Sequence, residues 1–184
     1  TAGHDTSRLR TSFLPAFLHN VPMELKKALD EEITRAKAHG ETPYVLFGHC
    51  FADIETFCHE NGAVPLSRGH CYATLLGAEH YEKAIDACAG SYFVEKELLT
   101  DVRQCLIEPL ELDDPVVRHM AFRHYDRLVY VTQPSDAGLH NKAEELASRP
   151  ELTLECRSAD DHHLRRLHAE PDLIWHHPTN PPHG

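Results

Sequence analysis

The chain has 184 residues, of which 41% are hydrophobic and 26% charged, with a formal net charge of −11. Length and composition predict one globular domain that buries about two-thirds of its unfolded surface, and the negative charge argues against a nucleic-acid surface or an anionic membrane as partner. No run of about 18 apolar residues is present and the first residues lack the apolar core of a signal peptide, so we expect a cytoplasmic protein without a membrane span.

The first half of the chain alternates apolar runs with helical patterns. The stretch 8–14 can form a first strand, and Pro22 opens a helix that Gly40 ends, with Asn20 as its expected cap. A continuous apolar run at 44–47 predicts a strand buried on both faces. The elements expected next are a short helix at 54–58, a strand at 63–66 and a helix that begins at His70.

The second half continues the same alternation. We predict strands at 91–94, 127–131, 152–156 and 173–175, and helices at 78–88, 98–107, 115–122, 137–148 and 160–168. Strands that alternate with helices imply a mostly parallel sheet with helices on both faces. We therefore predict an α/β fold with a single doubly wound sheet over residues 14–175. A tail at 1–13 precedes it, and a Pro- and His-rich tail at 176–184 follows it.

Six cysteines and 16 histidines are the unusual part of the composition. The cysteines lie at irregular spacing, at positions 50, 58, 71, 88, 105 and 156, and none forms a CxxC pair. This pattern favours reduced thiols over a disulfide framework, and it provides neither a zinc ribbon nor a thioredoxin-like motif. Most of the histidines are expected to be solvated, because one metal site uses only two or three of them.

Two of the loops that follow predicted strands carry cysteine and histidine. His49 and Cys50 follow the apolar strand, while His70 and Cys71 follow the next strand and begin a helix. Ligands of parallel sheets bind outside the carboxyl ends of the strands, and neighbouring strands lie about 4.8 Å apart. Thiolate sulfur and imidazole nitrogen bind zinc at about 2.0–2.3 Å. We therefore predict a metal site formed by Cys50, His70 and Cys71, with His49 as a further candidate.

Simpler interpretations of the same residues exist. Cys50 can be a small apolar residue at the end of a buried strand, and His70 can cap the following helix. The chain contains no HExxH, GxSxG, P-loop or GxGxxG motif, so no common catalytic signature names a reaction.

Four segments resemble a bacterial and archaeal family catalogued as domain of unknown function 1638. They are LPAFLHNVP at 14–22, FGHC at 47–50, LSRGHCY at 66–72, and HMAFRHY at 119–125 with the strand that follows. Phe51 and Ala52 depart from the family pattern, which tends to place glycines there. The resemblance covers about 14–175 and implies a functional cluster at Cys50, His70 and Cys71. Because members tend to be encoded near corrinoid-dependent methyltransferases, it also implies a link to corrinoid or one-carbon chemistry.

Three functions remain open at this point. In the first, zinc is held by the predicted residues, and its fourth coordination position is open or filled by His49 or Glu55. An open position would activate a thiol for methyl transfer. Iron, cobalt or nickel would also suit such ligands. In the second, the protein is a non-catalytic accessory or metal-delivery partner of a corrinoid or methyltransferase protein. In the third, it is a metal-free thiol enzyme with Cys50 or Cys71 as nucleophile and His70 as base.

Overall fold

The structure is a computed structural model that describes residues 10–66, 69–134, 136 and 138–159. The helix predicted at 160–168, the strand at 173–175 and the C-terminal tail lie outside the described residues. Within the described ranges, no helix is both long enough and apolar enough to cross a membrane.

The predicted first strand at 8–14 is absent from the described residues. Residues 10–14 form no strand, and a 3-10 helix at Ala16–Asn20 leads directly into helix α1, Pro22–Ala38. This segment packs on α1 through the buried Leu18 instead of pairing with a strand. The prediction that Asn20 caps α1 is wrong, because its amide donates to the carbonyl of Cys105 and α1 starts without a side-chain cap.

The remaining elements follow the predicted order closely. In chain order they are β1, Tyr44–Val45; α2, Ile54–Glu60; β2, Val64–Pro65; α3, Cys71–Leu76; α4, Ala78–Ala87; β3, Ser91–Val94; α5, Lys96–Thr100; a π-helical segment, Arg103–Ile107; α6, Pro115–Phe122; β4, Arg127–Thr132; α7, His140–Ser148; and β5, Thr153–Ser158. The helix predicted at 98–107 is thus divided into α5 and the π-helical segment.

The α/β class with parallel strands is confirmed, but the single sheet is not. In the described residues β1 pairs with β2, while β3, β4 and β5 form a separate parallel sheet in that order. The first sheet is short, with Tyr44 opposite Val64 and Val45 opposite Pro65. The N–H groups of Val64 and Leu66 donate to the β1 side, at the carbonyls of Pro43 and Val45, so the N–H that Pro65 lacks would face the other edge of β2.

Helices cover both faces of the three-stranded sheet, as a doubly wound fold requires. Leu128 and Tyr130 pack with α5, the π-helical segment, α6 and α7, whereas Val129 and Val131 pack with α3 and α4. This division follows from the two-residue period of a strand. Since all four side chains are 0 to 1% exposed, β4 is the centre of the core. The start of α3 is thereby held against this sheet.

Candidate functional site

The loops after β1 and β2 touch through their backbones. The N–H of His49 donates to the carbonyl of Gly69 at 3.0 Å. A Cβ on Gly48 would lie 2.3 Å from the nitrogen of Cys71 and 2.8 Å from the oxygen of Gly69, so only glycine fits. Both neighbours are backbone atoms that cannot rotate away. The close approach therefore brings the loop of Cys50 against the start of α3.

His70 and Cys71 form the tightest side-chain pair of the site. The Sγ of Cys71 lies 3.6 Å from the Nδ1 of His70. His70 also caps α3, since its Nδ1 accepts from the N–H of Tyr72 at 3.4 Å. That separation is longer than a normal N–H hydrogen bond, so this cap is weak. Nδ1 of His70 thus makes both the helix cap suggested by the sequence and the contact with the Cys71 thiol.

Aromatic rings fix the orientation of the His70 imidazole. It stacks on Tyr72 and Tyr81 with ring centroids 5.3 and 5.5 Å away and an interplanar angle of 17° in both cases. Both tyrosines pack in turn on Phe93, and the hydroxyl of the buried Tyr72 donates to the Phe93 carbonyl at 2.9 Å. The stack ties the imidazole to β3 and limits its rotation.

The two thiols are neutral in this environment. Burial raises the pKa of Cys71 to about 12, with further increases from the nearby Cys50 thiol and the Glu95 carboxylate. Burial also raises the pKa of Cys50, although a hydrogen bond with the Gly48 backbone opposes it. The effect of Cys50 on the pKa of Cys71 indicates that the two thiols lie within electrostatic range of each other. Ionising both would require a nearby positive charge.

The environment of His70 favours its neutral form. Desolvation lowers the pKa of His70, and the charges of His19 and His49 lower it further. Desolvation also lowers the pKa of His19. Neutral imidazole is the form that binds metals. His49, a predicted ligand, and His19, which was not in the predicted set, therefore both lie within electrostatic range of His70.

A family comparison covers these loops. The model of the family described as "Protein of unknown function (DUF1638)" matches residues 13–168. The chain belongs to this family. The match bears out the resemblance seen in the sequence and includes Cys50, His70 and Cys71. Neither a curated protein nor a solved structure matches this DUF1638 chain.

Sequence reasoning missed Glu95 in this DUF1638 protein. It directly follows β3, and its carboxylate accepts from the N–H groups of Glu97 at 2.7 Å and Leu98 at 3.0 Å. Burial raises its pKa to about 7, although these backbone bonds act in the opposite direction. Glu95 in turn raises the pKa of Cys71 and of Tyr72. The rule that functional groups follow the carboxyl ends of parallel strands could have found it.

The DUF1638 fold also contains an open pocket of about 380 Å³. It lies between the 3-10 helix and α5, and Phe17, Glu97 and Gln104 are among the residues that line it. Cys50, His70 and Cys71 do not line this pocket.

The side chains fit a metal only in part. Among the described residues, no group of three or more Cys, His, Asp or Glu side chains is already arranged to hold a metal ion. The 3.6 Å between Cys71 Sγ and His70 Nδ1 does match two ligands of one tetrahedral zinc ion. With zinc–sulfur and zinc–nitrogen bonds of about 2.3 and 2.0–2.1 Å, that ligand separation is about 3.5 Å. A third ligand requires rotation of a neighbouring side chain.

Proposed function

We propose that this DUF1638 protein binds a zinc ion through Cys50, His70 and Cys71. The observation that carries the proposal is the Cys71–His70 pair, whose sulfur and nitrogen lie 3.6 Å apart next to a second thiol. The separation suits two ligands of a tetrahedral ion. The backbone contact between Gly48 and Cys71 keeps the loop of Cys50 close enough to supply another sulfur.

The charges of the cluster support a divalent cation. Each thiol has a raised pKa because its thiolate would be partly buried, and ionisation of Cys71 is opposed further by Cys50 and Glu95. Zinc binds thiolates, so binding releases protons and its charge offsets this repulsion. His70 is already favoured as the neutral ligand form. Metal binding to this chain is therefore expected to weaken steeply as the pH falls.

The fourth ligand is proposed to come from a neighbouring histidine or from solvent. His19 and His49 both act electrostatically on His70, so either can approach the ion by side-chain rotation. The weak cap between His70 and the Tyr72 N–H competes for the same nitrogen, but its length of 3.4 Å makes its loss a small cost. Iron, cobalt or nickel would suit the same donors, and zinc is preferred because thiolate and imidazole make a tetrahedral set.

We also propose a role in corrinoid-dependent methyl transfer for this metal. Zinc with an open coordination position would bind a substrate thiol as the nucleophilic thiolate, which would take the methyl group of a methylcorrinoid as the carbon–cobalt bond breaks and its electron pair stays on cobalt. The sequence resemblance to a family encoded near corrinoid-dependent methyltransferases supports this setting. A closed site with four protein ligands would instead suit an accessory or metal-delivery protein that docks a corrinoid or methyltransferase partner.

A metal-free thiol enzyme is the second candidate. The same 3.6 Å contact allows His70 to take the proton of Cys71, which would make Cys71 a nucleophile. The high pKa of this thiol means that it would depend on the base. Under this alternative, alkylation of Cys71 would require His70 and would be unaffected by chelators.

Cobalt substitution separates the two candidates and also avoids the histidine-rich tail. The full chain, expressed without an affinity tag, is stripped of metal and titrated with Co²⁺, because cobalt bound to thiolate gives a near-ultraviolet charge-transfer band that histidine-only sites lack. We expect the band in the wild type, its loss in Cys71→Ser, and a weaker band in Cys50→Ser. Cys88→Ser is the matched control, since Cys88 is also half-buried but contacts Asp126 instead of a histidine.

Zinc competition against the cobalt band then gives the affinity. One equivalent of zinc should abolish the band in the wild type and in the control. A wild-type chain without any thiolate band, or a band of full wild-type intensity in both Cys50→Ser and Cys71→Ser, would refute the zinc site. If His70-dependent alkylation of Cys71 persisted in such a protein, the thiol-enzyme alternative would be favoured.

A further inference from the structure

A second cysteine–histidine pair joins strand β5 to the start of helix α7. The Sγ of the exposed Cys156 is 3.6 Å from the Nδ1 of His140, the first residue of α7. The other ring nitrogen of His140, Nε2, lies 3.3 Å from Oε1 of Glu144, one helical turn further on. The imidazole of His140 thus contacts a thiol through one ring nitrogen and a carboxylate through the other. None of the three belongs to the proposed zinc site.

The nearby carboxylate favours one tautomer of the His140 imidazole. An ionised carboxylate only accepts hydrogen bonds, so Nε2 of His140 carries the hydrogen when it faces Glu144. In the neutral ring the lone pair is then on Nδ1, the nitrogen that faces Cys156. This is the tautomer that can remove a proton from the thiol. The sequence could not reveal the contact between His140 and Cys156, because the two residues are 16 positions apart.

The surroundings of Cys156 make such a base necessary. Partial burial raises the pKa of this thiol, and the carboxylates of Glu144 and Glu155 raise it further. Glu155 is paired with Arg127 and Arg157, which leaves Glu144 as the carboxylate that contacts the histidine. At neutral pH the thiol is therefore protonated, and its reaction depends on transfer of the proton to a neighbour.

We propose that Cys156 is a modification site that exchanges with low-molecular-weight disulfides, with His140 as its base and Glu144 as the residue that positions the base. The proton of the thiol passes to Nδ1 of His140, and the Cys156 sulfur attacks one sulfur of the disulfide. A new S–S bond forms as the old one breaks, and the departing thiolate takes the proton from the imidazolium. The disulfide is the oxidant, and one of its halves leaves as a free thiol.

Charge and exposure define the preferred disulfide. Exchange needs access to the attacking sulfur, which the exposed position of Cys156 provides. The carboxylate of Glu144 attracts a positively charged partner and repels a negatively charged one. We therefore expect a cationic disulfide, such as cystamine, to react faster than an anionic one, such as oxidised glutathione.

Peptide-resolved mass spectrometry of the full chain tests this site. The folded protein is exposed to cystamine from pH 6 to pH 10, and the modified fraction of each cysteine is followed with time. Cys88 is the internal control, because its thiol lies 3.7 Å from the carboxylate of Asp126 and has no histidine contact among the described residues. At pH 7 we expect Cys156 to react faster than Cys88, and His140→Gln to slow it by about tenfold or more.

The pH profile distinguishes a base from a structural effect. If His140 removes the proton, the ratio of the wild-type rate to the His140→Gln rate should fall toward one at high pH, where the thiol ionises unaided. A ratio that stays constant across the pH range, or that is below about twofold at pH 7, overturns the proposal. Glu144→Gln should raise the rate with oxidised glutathione relative to cystamine, and an unchanged preference contradicts the charge argument. Circular dichroism verifies that both variants are folded.

Discussion

Replacement of Gly48 by alanine tests the contact on which the proposed zinc site depends. The added Cβ would lie 2.3 Å from the nitrogen of Cys71 and 3.0 Å from its Cα, both far inside normal contact distance. Overpacking of this kind costs about 1–3 kcal/mol. Separating the loops also lengthens the 3.0 Å hydrogen bond from His49 to Gly69, which contributes about 1 kcal/mol. We expect Gly48→Ala to lower the free energy of unfolding by about 2–4 kcal/mol.

Gly40→Ala is the control for the general effect of adding a methyl group. Gly40 has a φ of 73°, and nothing lies within 4 Å of the position its Cβ would take. The substitution costs about 1–2 kcal/mol through the left-handed backbone alone and leaves the two loops in place. Both variants are compared with the wild type by urea denaturation of the metal-free protein. Equal m-values for the three proteins would show that the variants differ from the wild type in stability alone.

Zinc affinity provides the second measurement. Since Gly48→Ala moves the loop of Cys50 away from Cys71, we expect its zinc affinity to fall at least about tenfold, which corresponds to about 1.4 kcal/mol. Gly40→Ala should bind zinc as the wild type does. The reasoning is refuted if Gly48→Ala unfolds at the wild-type urea concentration, or if its zinc affinity stays within about twofold of the wild type while it remains folded.

Three further changes test the surroundings of the site and one helix start. In the folded protein Glu95 has a pKa of about 7 instead of its ordinary 4.5, so the native state retains a proton that the unfolded chain loses, and stability falls as the pH rises through this window. In urea denaturation, the free energy of unfolding of Glu95→Gln should rise relative to the wild type by about 1–2 kcal/mol between pH 5 and pH 8, after allowance for partial exposure. The same difference between variant and wild type at both pH values contradicts this. Tyr72→Phe removes the 2.9 Å bond to the Phe93 carbonyl and should cost about 1–2 kcal/mol in thermal unfolding, whereas no loss would mean that this carbonyl finds another donor. Asp114→Ala removes the side-chain cap of α6 and should lower the free energy of unfolding by about 1 kcal/mol. The control, Asp113→Ala, breaks only exposed ion pairs and should lower it clearly less. Equal losses in the two variants would exclude a capping role for Asp114.

Local patterns determined most of the elements. The strand predicted at 91–94 agrees with β3 to the residue, and Pro115 begins α6 as expected. The apolar strand pattern and the preference of proline for the first position of a helix both act over a few neighbouring residues, so they do not depend on the rest of the fold. The stretch 8–14 failed as a strand because a strand needs a partner, and the described part of this segment precedes a 3-10 helix that packs on α1.

The sequence by itself determined that this protein is α/β with parallel strands and that Cys50 and the His70–Cys71 pair follow neighbouring strands. Only the tertiary structure decided that the strands form two sheets, that the imidazole of His70 stacks on two tyrosine rings, and that Glu95 acts on Cys71. It also brought His140 to Cys156. The physical reason is distance along the chain: helix and strand preferences are set by near neighbours, whereas pKa values and side-chain contacts depend on residues that folding brings together.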